Sequence, residues 1–449
     1  MTEDNIRLFC EERTEMNNEV SVYDSAAYKR SRMAYKWECT FEYFVALLVG
    51  DAFLANLLKY IGFSDAETGI ISSLITLAFL FQLVSVFVAR KITNTKLFAI
   101  LFHTTSQIFF MSLYLLPFMP FAASFKKPLV VICILAAYFG NYMVSTVIFR
   151  WGNSYVDPKK RASYTAGKEI ISLITGMVVS LGIGYAMDAF KASDNVEGGF
   201  IFAAVGILIF CISDLAMLLI IKNDIKPKQE KGEGSSLKDV LLNTLCNKNF
   251  LSVVVLQILW NSSIYMVSGF LGTYKNDLFQ NLAIVQLISV GGQLARAIFS
   301  RPFGKYTEKR TFAKGIELGL IIAAVAMLVN MFTTPQTSFC IIIYTVLYNI
   351  CLAGVSGNIT NITYSYVDSR YFAEASAIKN SIGGLCGFGA SLLGGVILDL
   401  VQKNQGAIKE VVGITIYGQQ VLSGISLVML IITIIFTHFV VSKQKVMIQ

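Results

Sequence analysis

The chain has 449 residues, of which 55% are hydrophobic and only 15% are charged, and its mean hydropathy is +0.61. Soluble domains carry about 25% charged residues, so this composition excludes an ordinary soluble domain. It predicts an all-α integral membrane protein with many membrane-spanning helices. The net charge of +8 follows from basic residues in the predicted loops, and no nucleic-acid partner is needed to account for it.

Several other classes of protein are excluded because their sequence patterns are missing. The eight cysteines are scattered, mostly inside apolar runs, and their spacing predicts neither a metal site nor a disulfide framework. The sequence has no G-x-x-x-x-G-K-[ST] phosphate loop and no nucleophile with a placed base. We therefore expect no cofactor, no metal and no enzymatic activity.

Membrane spans are predicted where about 20 mostly apolar residues follow one another, because that length crosses the hydrocarbon core of a bilayer. The first 38 residues are polar and lack the apolar core of a signal peptide. Twelve spans are predicted, at 39–61, 67–89, 97–118, 128–149, 166–188, 199–221, 250–272, 280–300, 313–333, 338–363, 378–400 and 417–440.

The placement of lysine and arginine predicts the orientation of these spans. Most of the basic residues fall in the two tails and in every second loop, so both termini are expected in the cytoplasm. The expected location is the plasma membrane of a prokaryote. The longest internal polar stretch reads as a linker. We predict a cytoplasmic tail at 1–38, a first six-helix half at 39–221, a cytoplasmic linker at 222–249, a second six-helix half at 250–440 and a cytoplasmic tail at 441–449.

An internal repeat supports this division into halves. The segment 154–188, which begins SYVDPKKRASYTAGKE, aligns without gaps with 365–399, which begins SYVDSRYFAEASAIKN, and 13 of the 35 positions are identical. Each copy covers a cytoplasmic loop and the next span, the fifth and the eleventh. Because six spans separate the copies, both cross the membrane in the same direction. The repeat therefore predicts two halves related by a pseudo-twofold axis along the membrane normal.

With twelve spans in two parallel six-helix repeats, the chain resembles the major facilitator superfamily of transporters. Part of that family's loop signature, G-x-x-x-D-[RK]-x-G-[RK]-[RK], is present between the eighth and ninth spans as GKYTEKRTFAK. The resemblance implies an alternating-access transporter that exposes a central site first to one side of the membrane and then to the other. The fifth span lacks the Gly-Pro pair typical of the family's antiporters, which favours functions other than drug efflux.

Candidate gate residues lie at the cytoplasmic ends of the spans. They act there either as helix caps or as ion pairs that break when the halves move. The set comprises Asp157, Glu169 and Asp368 in the repeated segments, together with Gly304, Glu308 and Lys309 in the loop that carries the family signature.

Charged residues inside predicted spans are candidates for ion coupling, because a charge at membrane depth is costly and tends to face a cavity or a partner. Asp51 lies near the middle of the first span and Glu42 lies nearer its cytoplasmic end. Either carboxylate can bind a coupling proton or sodium ion, or pair structurally with a basic residue. Arg296 in the eighth span can bind an anionic solute, balance a carboxylate, or extend to the membrane surface.

The clearest candidate binding surface is on the seventh span. Gln257, Asn261 and Tyr265 share one helical face, with Trp260 beside them. Amides and aromatic rings together suit a hydroxyl-rich ligand such as a sugar, although interhelical hydrogen bonding explains the same pattern. The tenth span carries a second amide face, with Asn358 and Asn361, and a separate aromatic face.

Taken together, the sequence predicts a monomeric secondary transporter for a small polar solute, with a sugar-like solute favoured and a proton or sodium ion as the candidate coupling ion. The lipid bilayer is its other expected partner. Two alternatives share the same fold. One is a drug or metabolite efflux transporter, and the other is a solute sensor or scaffold that does not transport.

Overall fold

A computed structural model describes residues 23–89, 92, 94–157, 161–223, 246–367, 372–412 and 415–443. Within these residues the chain is helical and contains no strand. Eleven helices are long and apolar enough to cross a membrane, and a twelfth span results if one bent helix pair is counted as a single span. The prediction of an all-α membrane protein with two six-helix halves is confirmed.

The helices of the first half form the first six spans in chain order. They are α1 (Ala26–Leu48) and α2 (Asp51–Ile61), which together form the first span, α3 (Asp65–Ser72) and α4 (Leu74–Ala89), which form the second, then α5 (Thr95–Leu115), α6 (Ala123–Asn153), α7 (Arg161–Ala192) and α8 (Val196–Ile220).

The helices of the second half form the last six spans and one short connecting helix. They are α9 (Lys248–Phe279), α10 (Leu282–Lys309), α11 (Phe312–Asn330), α12 (Phe339–Tyr366), α13 (Phe372–Lys403), the connecting helix α14 (Gln405–Val412) and α15 (Gly418–Phe439). The membrane face at which α1 begins and α15 ends is called the terminal face below, and the other is called the opposite face.

The first span differs from the single continuous helix predicted at 39–61. It begins 13 residues earlier, at Ala26, and it breaks after Leu48, where α1 and α2 meet at an angle of 43°. The break ends at Asp51, whose φ of 41° lies in the left-handed region that non-glycine residues seldom adopt. Asp51 is therefore the first residue of α2, rather than a residue in the middle of a continuous helix. The break therefore gives Asp51 a special position that the apolar pattern of the sequence did not show.

Each half has its own apolar core. The first core is centred on α2, α5, α6 and α8, with buried residues such as Leu58, Tyr114 and Phe200. The second is centred on α9, α11, α12 and α15, with Val267, Leu320 and Leu430 fully buried. The first core also takes in Leu282 and Val285 of α10, so the two halves are in apolar contact. The bounds of the halves stay a prediction, and residues 224–245 of the predicted linker lie outside the described residues.

The repeated segments pack in equivalent ways within the two halves. A Cβ atom on Gly176 of α7 would lie 2.5 Å from the ring of Tyr43 on the first span. Its counterpart Gly387 of α13 faces Tyr265 on the seventh span, where a Cβ would lie 2.9 Å from the ring. The repeat thus preserves glycines at the places where helices approach most closely.

The halves meet through charged contacts near the opposite face. The Lys59 amine contacts the Asp277 carboxylate at 2.5 Å and that of Asp65 at 3.1 Å. Asp188 at the end of α7 accepts hydrogen bonds from the backbone N–H groups of Leu282 and Ala283, at 3.0 and 2.7 Å. Since Asp188 belongs to the first half and caps the start of α10 in the second, this contact fixes the two halves together at that face.

Candidate functional site

A cavity of about 300 Å³ lies between the two halves, beside the break in the first span. Twelve of its fourteen lining residues have a polar group in the side chain, and eleven of the fourteen belong to the second half of the chain. The lining residues are Asp51, Ser72, Ser73, Tyr265, Ser268, Gly269, Leu271, Lys275, Ser289, Gln293, Tyr344, Thr345, Tyr348 and Asn349.

A charge pair closes one side of this cavity. The amine of Lys275 on α9 lies 3.1 Å from the carboxylate of Asp51, and the hydroxyl of Ser289 is 3.5 Å from the same carboxylate oxygen. The Lys275 side chain is only 6% exposed, whereas that of Asp51 is 44% exposed. The pair joins the two halves and leaves the cavity wall without net charge.

Tyrosine side chains form the aromatic part of the wall. The rings of Tyr344 and Tyr348 on α12 are stacked, with centroids 5.7 Å apart. The Tyr344 hydroxyl is buried and makes no hydrogen bond with the residues that the structure describes. A buried hydroxyl without a partner is costly, so this group is available to a bound solute.

Side-chain amides on α10 and α12 complete the polar part of the cavity wall. The Oε1 atom of Gln293 on α10 accepts a hydrogen bond of 3.1 Å from the hydroxyl of Tyr43. Asn349 on α12 donates through its amide nitrogen to the backbone carbonyl of Thr345, at 2.9 Å. Each amide keeps further hydrogen-bonding capacity, because a side-chain amide has two N–H donors and an oxygen acceptor.

The stripe predicted on the seventh span divides between two environments. Tyr265 lines the cavity. Gln257 donates to Asn261 at 2.8 Å, and both side chains pack against Gly383 of α13. Trp260 is buried in the core of the second half. The cavity is therefore reached by only the Tyr265 end of the stripe, and a binding role for the other three residues stays a prediction.

On the tenth span, α12, the aromatic face rather than the predicted amide face reaches the cavity. The buried amide of Asn358 donates to the Thr307 hydroxyl at 3.1 Å and to the backbone carbonyl of Gly354 at 2.7 Å. Asn361, one turn further on, is exposed. These bonds place Asn358 in the contact between α10 and α12, and a role for either amide in solute binding stays a prediction.

The other charged residues predicted inside spans lie outside the cavity wall. Glu42 is half-buried on α1. Arg296 is half-buried one turn beyond Gln293, close enough for its charge to act on the phenols of Tyr43 and Tyr348. Among the described residues it forms no ion pair with a carboxylate. Coupling roles for Glu42 and Arg296 stay predictions.

The predicted gate residues lie near the terminal face where the structure describes them. Asp157 is half-buried in the segment between α6 and α7, and Glu169 is exposed on α7. Gly304, Glu308 and Lys309 are exposed at the end of α10, and Asp368 lies outside the described residues. The neighbour of Glu169, Lys168, contacts the first span instead, with its amine 3.1 Å from the Cys39 sulfur.

Sequence reasoning missed two parts of this arrangement. The first part is the pair Ser289 and Gln293 on α10. These residues are four positions apart and are followed by Arg296, so a polar stripe on an apolar helix could have indicated them. The second part is a cluster away from the cavity, in which Glu38, His103 and Asp214 converge from three helices. No spacing in the sequence indicates the cluster, because its members are more than 60 residues apart.

Comparison with known proteins agrees with this architecture. The family model described as Major Facilitator Superfamily matches residues 41–391. None of the curated proteins that were compared matches the chain significantly.

Three solved structures illustrate the similarity in fold. A mutant form of the nucleoside transporter NupG superimposes with a TM-score of 0.71 at 12% identity, covering 91% of this chain and 99% of that one. A bacterial homolog of the human lysosomal transporter Spinster, inward-facing and unoccupied, gives 0.66 at 15% identity, covering 94% and 97%. An auto-inhibited peptide transporter of the POT family gives 0.68 at 11% identity, covering 91% and 97%.

At these identities the structural matches establish the fold alone, whereas the family model covers more than three quarters of the chain. The membrane spans, the repeat and the family match agree. The chain belongs to the Major Facilitator Superfamily.

Proposed function

We propose that this protein is a secondary transporter for a small, uncharged, hydroxyl-rich solute, such as a monosaccharide or a nucleoside. The observation that carries this proposal is the composition of the cavity wall, in which tyrosine, serine and threonine hydroxyls and two amides surround a charge pair that neutralises itself. Hydroxyls and amides hydrogen-bond solute hydroxyls, while tyrosine rings cover apolar C–H surfaces or stack on a base.

The size of the cavity agrees with such a solute. Its volume of about 300 Å³ is at the lower end of the range for small-molecule sites, roughly 300–1,000 Å³. A nucleoside fits the same chemistry, and NupG, one of the similar structures, is a nucleoside transporter. That similarity is one of fold, so the proposal rests on the cavity wall.

Transport requires the contact between the halves at the opposite face to open and close. The pairs Asp51–Lys275 and Lys59–Asp277 both cross between the halves there, and we place the gate of that face at these pairs. The Asp51 carboxylate is also the candidate site for a coupling proton or sodium ion, because a cation bound to it competes with Lys275. The proposed location is the plasma membrane, with both termini in the cytoplasm.

Binding to purified protein followed by flux into proteoliposomes tests the proposal. Monosaccharides and nucleosides are expected to raise the melting temperature, because a ligand that binds only the folded state stabilises it, and at least one is expected to be carried into vesicles. Free nucleobases and organic acids serve as probes that lack the hydroxyls or carry a charge. Stabilisation by organic acids alone, abolished in Arg296→Gln, would contradict an uncharged solute, and binding without flux would indicate a sensor.

A further inference from the structure

The first half contains three ionisable side chains that are almost completely buried and do not touch the cavity. Glu38 on α1 and His103 on α5 are 0% exposed, and Asp214 on α8 is 1% exposed. One donor atom from each residue lies within 4.8 Å of the other two. The Nε2 atom of His103 is 2.7 Å from Oδ2 of Asp214.

Most of the polar atoms in this cluster have no hydrogen-bond partner in the part of the chain that the structure describes. Neither carboxylate oxygen of Glu38, nor Oδ1 of Asp214, accepts a hydrogen bond from the described residues. No lysine or arginine among those residues forms an ion pair with Glu38 or Asp214. An unpaired carboxylate in a low-dielectric interior costs several kcal/mol or more, so the charge at this position has to be balanced, either by protons or by a bound cation.

The corresponding spans of the second half also carry ionisable groups near the terminal face, but the carboxylate among them has basic partners. Spans one, three and six of the first half correspond to spans seven, nine and twelve of the second. Near the terminal face of spans nine and twelve, the Glu317 carboxylate lies 2.6 Å from the Lys314 amine and 2.9 Å from the His438 imidazole. The cluster of the first half differs from that arrangement because it is almost completely buried and because, among the described residues, no side chain bonds to the Glu38 carboxylate.

We propose that Glu38, His103 and Asp214 bind a divalent transition-metal ion of the Zn²⁺ type. Two carboxylates and a neutral imidazole carry a charge of −2, which such an ion balances, and this donor set is one that Zn²⁺ accepts. Four-coordinate Zn²⁺, with bonds of about 2.0–2.1 Å, holds neighbouring donors about 3.3 Å apart. The His103 and Asp214 atoms need to separate by only about 0.6 Å to reach that spacing.

A fourth ligand is available from the same helices. Gln107 lies one turn after His103, and its amide is 3.3 Å from the imidazole Nε2 atom. Since the oxygen and nitrogen of a side-chain amide exchange places by a simple flip, the amide oxygen can face the ion. The Cys211 sulfur, 3.9 Å from the Gln107 amide oxygen, is a further donor at the edge of the cluster.

An ion at this position would join the first, third and sixth spans into one unit. His103 lies about 12 Å inside the start of α5, and Asp214 lies about 9 Å before the end of α8, at a rise of about 1.5 Å per residue. The site is thus in the part of the first half nearest the terminal face. Because none of the three ligands is exposed, the ion is expected to be bound during folding and to exchange slowly.

Elemental mass spectrometry of the full-length protein, purified from cells grown with added Zn²⁺ and treated with EDTA in detergent, tests this inference. We expect about one ion per chain in the wild type, and near zero in the isosteric variants Glu38→Gln and Asp214→Asn. Glu197→Gln is the matched control, because this carboxylate is on α8 at the opposite face and bonds to Tyr60. Its metal content should equal that of the wild type.

Size-exclusion profiles establish which variants are folded, and metal release on denaturation is measured with a colorimetric chelator. A wild-type protein without a stoichiometric ion, or with EDTA-labile metal only, overturns the inference. So does a folded Glu38→Gln protein that keeps its full metal content. If both carboxylate variants fail to fold, the wild-type ratio alone decides. The measurement needs no solute and no flux, so its outcome is independent of the proposed transport function.

Discussion

The two halves of this transporter share one helical plan but contribute unequally to the cavity. The second half supplies eleven lining residues from α9, α10 and α12, whereas the first supplies Asp51, Ser72 and Ser73. The ionisable groups near the terminal face differ as well, since the cluster of the first half is buried, whereas the Glu317–His438 pair of the second half is partly exposed. The duplication therefore preserved helix packing, while the polar chemistry of each half was free to change.

Glycine placement shows why the packing was preserved. Gly272 on α9 approaches the backbone of the first span so closely that a Cβ would lie 2.6 Å from the carbonyl oxygen of Asp51. Gly182 on α7, in contrast, has no atom within 4 Å of its Cβ position. Glycine is thus required at position 272 because the backbones of the two halves touch there, whereas the surroundings of Gly182 leave room for a side chain.

The largest effect is expected when that contact between the halves is blocked. The substitution Gly272→Val should abolish solute flux into proteoliposomes, because the added side chain meets backbone atoms that cannot move away without separating the halves. Gly182→Val is the matched control and should keep flux within about twofold, apart from a small change in stability of about 0.5 kcal/mol. Equal flux in the two variants would show that the halves do not close at Gly272.

The charge pair at the cavity gives the next largest effect. Asp51→Asn leaves Lys275 buried without a counter-charge and should lower the free energy of unfolding by about 1–3 kcal/mol, less than for a fully buried pair because Asp51 is half-exposed. Lys275→Gln alone should cost less, since the remaining carboxylate is hydrated. Thermal unfolding of both single variants and of the double variant measures the coupling.

The double variant Asp51→Asn/Lys275→Gln should recover most of the stability lost in Asp51→Asn. If Asp51 binds the coupling ion, both Asp51→Asn and the double variant should lose solute accumulation driven by an ion gradient, while solute exchange should stay measurable in both. Additive losses in the double variant would mean that the two side chains do not interact. Unchanged accumulation in Asp51→Asn would remove this carboxylate from ion coupling.

Removing a single tyrosine hydroxyl should separate binding from stability. Tyr344→Phe loses a hydroxyl that has no partner among the described residues, so the melting temperature should stay equal or rise. Solute affinity should fall by about twofold to tenfold, corresponding to roughly 0.5–1.5 kcal/mol for one hydrogen bond. Calorimetric titration with the solute that the binding assay identifies measures the affinity.

The matched control for that hydroxyl is Tyr274→Phe. The Tyr274 hydroxyl donates to the backbone carbonyl of Thr333 at 2.8 Å, outside the cavity. Its loss should lower the melting temperature and leave affinity unchanged. If the two variants behave alike in both measurements, Tyr344 makes no contact with the solute.

The smallest effect is expected at the outer charge pair. The side chains of Lys59 and Asp277 are 32% and 48% exposed, and pairs of this kind contribute about 0–1 kcal/mol. Lys59→Gln should therefore change stability by less than about 1 kcal/mol and make it less sensitive to salt. A loss comparable with that of Asp51→Asn would show that the outer pair, rather than the inner one, controls the contact between the halves.

The fold was predictable because apolar length, basic loops and an internal repeat are properties of continuous sequence. The broken first span was not, since the run around Asp51 reads as one apolar helix. Of the predicted stripe on the seventh span, Tyr265 reaches the cavity, while Gln257 and Asn261 bond to each other. A helical face can be read from spacing, but whether it meets a cavity or another helix depends on neighbouring spans far away in the chain.

The buried cluster shows the same limit more strongly. His103 and Asp214 each look like an isolated polar residue in an apolar helix, and such residues usually serve packing contacts, whereas Glu38 is the last residue of the predicted cytoplasmic tail. Only the packing of α1, α5 and α8 brings them together. Sequence patterns with fixed local spacing detect metal sites in loops and single helices, but not sites whose ligands come singly from separate spans.

The most direct test of the central claim is a thermal-shift measurement with monosaccharides and nucleosides on the wild type and two amide variants. Asn349→Ala removes an amide from the cavity wall, and Gln257→Ala removes one that lies against Asn261 and Gly383. The account predicts that a hydroxyl-rich solute stabilises the wild type and Gln257→Ala, and stabilises Asn349→Ala much less. Stabilisation that survives in Asn349→Ala and disappears in Gln257→Ala would contradict it and move the site to the stripe on the seventh span.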